Sequence, residues 1–224
     1  MMNELIFFIH TILVACASLI ALKLGKESLV SFICMLSILS NLFVTKQMML
    51  FGFDVTCSDV FAVGGIFGLN LIQEFFGKTN AKKTIVINFF TTTIYLVMSQ
   101  IHLWYHPNVF DTMHAHFFSI LQVMPRITIA SMVVYLVVQL FDAYLYSLLK
   151  TISAGKYLVA RNIFSLSCSQ FIDTVLFSFL ALYGIVGSVW HVIVVSYFVK
   201  LLVIVGTAPF IALAKKFIPQ DTTL

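Results

Sequence analysis

The chain is a succession of long apolar runs separated by short polar or charged stretches. An α-helix needs about 20 residues to cross the roughly 30 Å hydrocarbon core of a bilayer. Seven runs satisfy this requirement and predict membrane spans at about residues 5–22, 28–45, 57–76, 84–104, 125–149, 160–183 and 190–214. The pattern therefore predicts a single all-α transmembrane domain over residues 1–224, a bundle of about seven helices.

Composition excludes a soluble globular protein, because 61% of the residues are hydrophobic and only 10% are charged. The net charge of +4 comes from basic residues in the loops, which favours membrane orientation over nucleic-acid binding. With seven spans, most of these residues lie on one side, which predicts an N-terminus outside and a cytoplasmic C-terminus. They are Lys23, Lys26, Lys78, Lys82, Lys83, Lys150, Lys156, Arg161, Lys215 and Lys216.

Polar side chains form stripes within the fifth and sixth runs. At about 100° per residue, those of each run fall within roughly an 80° arc of one helix face. An ionisable group at the centre of a bilayer costs about 3 kcal/mol or more, so such groups normally face a cavity or a partner. We therefore expect the stripes, with Lys200 of the seventh run, to line one polar cavity. The stripes are Thr128, Ser131, Tyr135, Gln139 and Asp142, and Asn162, Ser165, Ser169 and Asp173.

A simpler interpretation is that these buried groups pair with one another and only fix the helix register. Two parallel stripes favour a cavity for a flat, polar, uncharged or weakly basic heterocycle, on whose ring aromatic side chains stack. The sequence shows no paired nucleophile and base, so we expect no enzymatic activity. Histidines between spans four and five lack the spacing of a metal site, and we predict no metal and no cofactor. These are His102, His106, His114 and His116.

Five polar motifs follow one another along the chain. They are Asn70-x3-Glu74-x2-Gly77, Arg126-Ile127-x2-Ala130-Ser131 through Tyr135 to Gln139-x2-Asp142, Arg161-Asn162-x2-Ser165, Ser169-Gln170-x2-Asp173-Thr174-x2-Phe177, and Tyr197-x2-Lys200 with Pro209. These motifs resemble those of the queuosine precursor transporter family, also called the vitamin uptake transporter family. The resemblance covers about residues 40–210. The members of that family are bacterial membrane proteins that import 7-deazaguanine bases.

The resemblance implies a six-helix core preceded by an additional N-terminal helix, in the bacterial inner membrane. One position departs from the family, which usually has an aspartate where this chain has Asn70. This departure points to a different preference within the substrate class, for example queuine. The substrate-binding residues implied are Asn70, Glu74, Arg126, Tyr135, Gln139, Asp142, Arg161, Asn162, Ser165, Gln170, Asp173, Tyr197 and Lys200.

The function that the resemblance implies is a secondary carrier that imports queuosine precursors by alternating access. A carboxylate can accept two adjacent N–H donors of the base, and a lysine or amide can donate to its carbonyl oxygen. Two alternatives stay open: a substrate-binding subunit of a multi-component vitamin importer, and a membrane scaffold without transport. The expected partners are the small-molecule base and membrane lipid, and the sequence is compatible with a monomer or a homo-oligomer.

Overall fold

The computed structural model describes residues 2–152 and 158–202, apart from the side chains at positions 139, 143, 146, 147, 150 and 158–163. The described part of the chain is almost entirely helical. The elements are α1 (Met2–Leu24), α2 (Lys26–Phe43), β1 (Gln47–Leu50), β2 (Phe53–Thr56), α3 (Asp59–His102), α4 (His114–Leu121), α5 (Met124–Ile152), α6 (Leu158–Phe177), a π-helical turn (Ser178–Leu182) and α7 (Val189–Leu202).

Five helical stretches among the described residues are long and apolar enough to cross a membrane, and α7 is a shorter apolar helix. Many of their large apolar side chains point outward; Ile12 and Leu13 of α1, for example, are both 61% exposed. Such exposure is typical of helices that face lipid, because no water needs to be excluded from their outer surface. The chain is therefore a polytopic membrane protein.

Helix α3 is 44 residues long, about 66 Å at 1.5 Å per residue and twice the thickness of the hydrocarbon core. Gly77 interrupts it with φ 85° and ψ 167°, a conformation that glycine adopts without a steric penalty. The sequence predicted a basic loop at 77–83, and this was wrong. Only Gly77 leaves the helical conformation, and the exposed Lys78, Lys82 and Lys83 belong to the arm that follows.

The sequence predicts an all-α chain, but the connector after α2 forms a two-stranded antiparallel hairpin, β1 paired with β2. Phe51 and Gly52 occupy the two turn positions and both have positive φ, 51° and 83°. Two consecutive positive φ values match the twist of a tight hairpin. Another short element that the sequence did not predict is α4, which lies in the connector before α5.

Helix α1 packs against α2 and α3, which gives the additional N-terminal helix a place in the bundle. Close approach depends on two glycines of α3. A Cβ atom added at Gly64 would overlap the Val14 side chain of α1, and one added at Gly68 would lie 2.7 Å from Ile33 Cγ1 of α2. Small residues at such contacts let membrane helices approach closely and gain van der Waals packing.

Two predicted boundaries agree with the structure. Pro125 lies in the first turn of α5, where a proline lacks only a hydrogen bond that the helix would not make. At the same end of the bundle, the sixth helix ends after the π-helical turn, and Gly184 follows with φ 81°. The chain then turns back and α7 begins at Val189.

Candidate substrate cavity

A cavity of about 280 Å³ lies between α2, both arms of α3, α5, α6 and α7. Lys200 lines it and comes eleven residues after the start of α7, about 16 Å along the helix axis. This is about half of the hydrocarbon thickness. The cavity therefore extends deep into the bundle from the end at which α7 begins.

An ion pair occupies the α6 and α7 wall of the cavity. Lys200 Nζ donates to Asp173 Oδ2 at 2.5 Å and to Thr174 Oγ1 at 3.1 Å. The side chains of Lys200 and Asp173 are only 11% and 26% exposed. In this low-dielectric setting each charge needs the other, because an unpaired one would lose its hydration without compensation.

A second carboxylate lines the same cavity at the start of α3. Asp59 is 7% exposed, and its Oδ1 accepts a 2.8 Å hydrogen bond from Ser196 Oγ of α7. Its Oδ2 is buried and has no hydrogen-bond partner among the described residues. Lys200 interacts electrostatically with this carboxylate but donates its hydrogen bonds to Asp173 and Thr174.

Aromatic rings and an amide line another part of the cavity. Phe89 and Tyr135 meet edge to face with their ring centroids 5.1 Å apart, and Phe177 lies along the same cavity. Asn88 also lines it, and its Oδ1 is buried without a hydrogen-bond partner among the described residues. A planar ring could stack on the aromatic side chains while Asn88 binds its polar edge.

The hairpin and the residues that follow it form one end of the cavity. Thr56 and Ser58 line this end and share a 2.8 Å hydrogen bond between their hydroxyl groups. The strands are attached to the chain before α7, since Gly187 N–H donates to Gln47 Oε1 at 2.8 Å. The hairpin is thus fixed between the end of the cavity and the chain that leads into α7.

Three of the predicted site residues line this cavity: Tyr135, Asp173 and Lys200. The side chains of Gln139, Arg161 and Asn162 lie outside those that the structure describes.

The remaining predicted residues do not line the cavity, and several have other contacts. Asp142 was expected to meet Asp173 and Lys200 in one chamber, but its Oδ1 accepts 2.8 Å hydrogen bonds from Ser165 and Ser169 instead. Asp142 is seven residues after Tyr135, about 10 Å further along α5. It therefore joins α5 to α6 at a level that the cavity does not reach.

Arg126 stabilises the end of the sixth helix. Its guanidinium donates to the carbonyl oxygens of Leu180 and Tyr183 at 2.9 and 2.8 Å. Such contacts satisfy carbonyl groups that have no partner within the helix. Arg126 therefore has a structural role at the end of the sixth helix, separate from the cavity.

The other four predicted residues lie around the cavity without lining it. Tyr197 packs edge to face against Phe171 at 5.1 Å, while Gln170 is half-buried on the same helix as Asp173. Asn70 is half-buried about two turns before the Gly77 kink, and Glu74 is exposed about one turn before it.

Two cavity residues were missed as candidate site residues by the sequence reasoning, Asp59 and Asn88. Each is a polar group within a predicted membrane span, which was the available signal. Asp59 lies within about 60° of Asn70 and Glu74 on a helical projection, but those two side chains do not line the cavity. Only the approach of α3 to α6 and α7 brings Asp59 near Lys200 and Ser196.

Comparison with known proteins agrees with this architecture. The model of a family described as "Putative vitamin uptake transporter" matches residues 59–214, more than half of the chain. The chain belongs to the vitamin uptake transporter family. The matched region begins at Asp59, the first residue of α3, and includes every helix that contributes to the cavity except α2.

A curated protein similar to this chain is the "Probable queuosine precursor transporter" of Bacillus subtilis (strain 168). It is 30% identical over 200 residues, which cover 88% of this chain and 87% of the relative. No solved structure matches. Together with the apolar helices, family membership identifies the chain as a transporter and a multi-pass bacterial membrane protein.

Proposed function

We propose that this chain imports a 7-deazaguanine base across the bacterial cytoplasmic membrane as a secondary carrier. The observation that carries the proposal is the Asp173–Lys200 ion pair, which faces a cavity deep in the bundle. The relative from Bacillus subtilis, named for queuosine precursors, supports this class of substrate.

Recognition of the base uses groups that are already placed around the cavity. Asp173 Oδ1 can accept N–H donors of the base while Oδ2 keeps Lys200, and the ammonium group can donate to a ring carbonyl. Asn88 offers an acceptor and two donors to another edge. Phe89, Tyr135 and Phe177 supply the apolar and aromatic surface on which the ring stacks.

The size of the cavity supports a single small base. Its volume of about 280 Å³ is at the lower end of the range of ligand sites, which is about 300–1,000 Å³. A nucleic acid would not fit. Asn70 does not line the cavity, so the departure from the family at this position has no direct contact through which to change base recognition here.

We further propose seven crossings, with the N-terminus outside and the C-terminus cytoplasmic. The kink at Gly77 supports this count because it divides the 44-residue α3 into two arms of about 27 and 38 Å. Both ends of such a pair lie on one side, and the exposed lysines at the kink then face the cytoplasm with Lys23 and Lys26. The hairpin lies on the outer side.

The decisive experiment is uptake of a labelled 7-deazaguanine base by proteoliposomes that contain only this chain. A secondary carrier equilibrates the base and exchanges it with unlabelled base inside, without a second protein. Asp173→Asn and Lys200→Met should abolish exchange, whereas Lys82→Met, at an exposed lysine of α3, should leave it unchanged. Normal exchange by both cavity variants would refute the assignment of the cavity.

Binding can be measured separately by thermal unfolding with a panel of bases. A ligand at 100 times its Kd stabilises the folded state by about 2.7 kcal/mol. Stabilisation by deazaguanines without uptake would indicate a binding subunit that needs a partner. No stabilisation by any base would leave only a scaffold.

A further inference from the structure

The ionisable side chains that line the cavity do not balance in charge. Among the described residues they are Asp59, Asp173 and Lys200, together with the phenol of Tyr135. With both carboxylates ionised, the cavity has a net charge of −1 deep in the bundle. A neutral base cannot remove this charge, and an uncompensated charge in such a setting is costly.

Asp59 is the carboxylate that lacks a counter-ion of its own. It is 93% buried, one oxygen accepts from Ser196, and the other has no hydrogen-bond partner among the described residues. Lys200 donates its hydrogen bonds to Asp173 and Thr174. A buried carboxylate oxygen without a hydrogen-bond donor is a strong acceptor for one small cation.

The groups that face Asp59 come from every element packed around it. The charged or titratable ones are Lys200 of α7, Asp173 of α6, Tyr135 of α5 and the neighbouring thiol of Cys57. Helix α2 contributes only neutral groups to the cavity, among them Asn41, and His10 of α1 packs against Phe61 instead. Lys200 is thus the single cation among the described residues of this set, and it is shared between two carboxylates.

We infer that Asp59 Oδ2 binds one monovalent cation, a proton or Na⁺, which crosses the membrane together with the base. This inference rests on the proposed function and names its coupling site. Oxygen atoms suited to either cation lie nearby, since the hydroxyl groups of Ser196, Thr56 and Ser58 line the same cavity. With the cation bound, the loaded cavity is neutral and can be exposed to either side without moving a bare charge through the bilayer.

The inference predicts that uptake of a neutral base carries one positive charge inward. A membrane potential of about 100 mV, negative inside, should then concentrate the base about 50-fold at equilibrium. The test uses proteoliposomes with this potential under two conditions. The first provides Na⁺ at equal pH on both sides, and the second provides an acidic exterior without Na⁺. Accumulation under the first condition but not the second identifies Na⁺, and accumulation under the second identifies the proton.

The matched variants are Asp59→Asn and Asp111→Asn. Asp59→Asn removes the negative charge and should abolish accumulation, while exchange of labelled for unlabelled base continues. Asp111 lies in the exposed connector before α4, where it accepts hydrogen bonds from backbone N–H groups, so its variant should accumulate the base normally. Accumulation by Asp59→Asn, or wild-type uptake that responds to neither gradient, would overturn the inference.

Exchange separates this inference from the proposed function. Wild-type protein that exchanges the base but never concentrates it contradicts the coupling site alone. Protein that neither binds nor exchanges any base contradicts the proposed function itself. If Asp59→Asn does not fold, Ser196→Ala removes only the hydroxyl on Oδ1. It should raise the cation concentration for half-maximal accumulation several-fold, and an unchanged value would equally overturn the inference.

Discussion

The Asp173–Lys200 pair allows a quantitative test of how the cavity is held together. The single substitutions are not equivalent, because Lys200→Met leaves Asp59 and Asp173 in one cavity without their cation. Asp173→Asn leaves Lys200 with the Thr174 hydroxyl and the nearby Asp59 carboxylate. Breaking a buried pair from one side costs about 3–5 kcal/mol, and we take about 3 kcal/mol for Lys200→Met because Asp173 is 26% exposed.

For Asp173→Asn we expect a loss of about 1 kcal/mol, in the range of a single lost hydrogen bond. The double variant should lose about 2 kcal/mol instead of the sum of about 4, because it no longer contains the unpaired Asp173 carboxylate. The coupling of about 2 kcal/mol corresponds to a shift of about 4–8 °C in Tm for a chain of this size.

Thermal unfolding of the three purified variants in detergent measures this coupling, and uptake of labelled base is measured in parallel. Stability should return in part in the double variant, but uptake should not, since both groups that bind the base are gone. Losses that simply add would show that the two side chains do not interact. Uptake by the double variant would show that they do not bind the substrate.

Three further predictions concern single positions. Asn88→Ala should weaken base binding by about tenfold, as measured by ligand-dependent Tm, because about one hydrogen bond from the cavity wall is lost. Asn108→Ala in the exposed connector is the control. Gly64→Ala should lower the stability of the fold by about 1–3 kcal/mol because the added Cβ overlaps with Val14. Gly65→Ala is the control, since no atom lies within 4 Å of its added Cβ, and it should leave the stability unchanged. Equal Tm values for the two variants would contradict the packing of α1 on α3. Arg126→Ala should lower the free energy of unfolding by about 2 kcal/mol because two charged hydrogen bonds to Leu180 and Tyr183 are lost. Arg126→Lys should restore part of this stability. An unchanged free energy of unfolding in Arg126→Ala would exclude a role at the helix end.

The membrane class and most helix positions could be predicted from the sequence because lipid imposes simple rules. A span must be long and apolar, and breaks occur where proline or glycine stands, as at Pro125 and Gly184. The hairpin could not be predicted in this way, since its turn places Phe51 at positive φ, which side chains other than glycine rarely adopt. The sequence around Lys82 and Lys83 was interpreted as a loop because both residues are charged. Lysine is nevertheless a good helix former when its side chain is exposed.

Helical periodicity predicted which polar residues share one face of a helix, but not which of them line the cavity. The stripe on α6 contains Ser165, Ser169 and Asp173, yet only the last lines the cavity, and the two serines bind Asp142. A periodic pattern states which residues share a side of a helix, whereas the level at which helices separate depends on their packing. For the same reason, the positions of Asp59 and Asn88 in the cavity depend on neighbours from other helices.

The hairpin is attached to the bundle on two sides. Toward α1 it is held by Asn3, which donates to the Met49 carbonyl at 2.8 Å, and by Glu4, which accepts from Phe51 N–H at 3.2 Å. Toward α7 it has the Gln47 contact and a hydrogen bond of 3.2 Å from Asp54 N–H to His191 Nδ1. Beneath these surface contacts, Leu50 and Val55 of the strands are fully buried in one apolar cluster with Val14 of α1 and with Val195 and Val199 of α7. Separating the hairpin from either helix would expose these side chains, so any opening at this end would have to move the hairpin and both helices as one body.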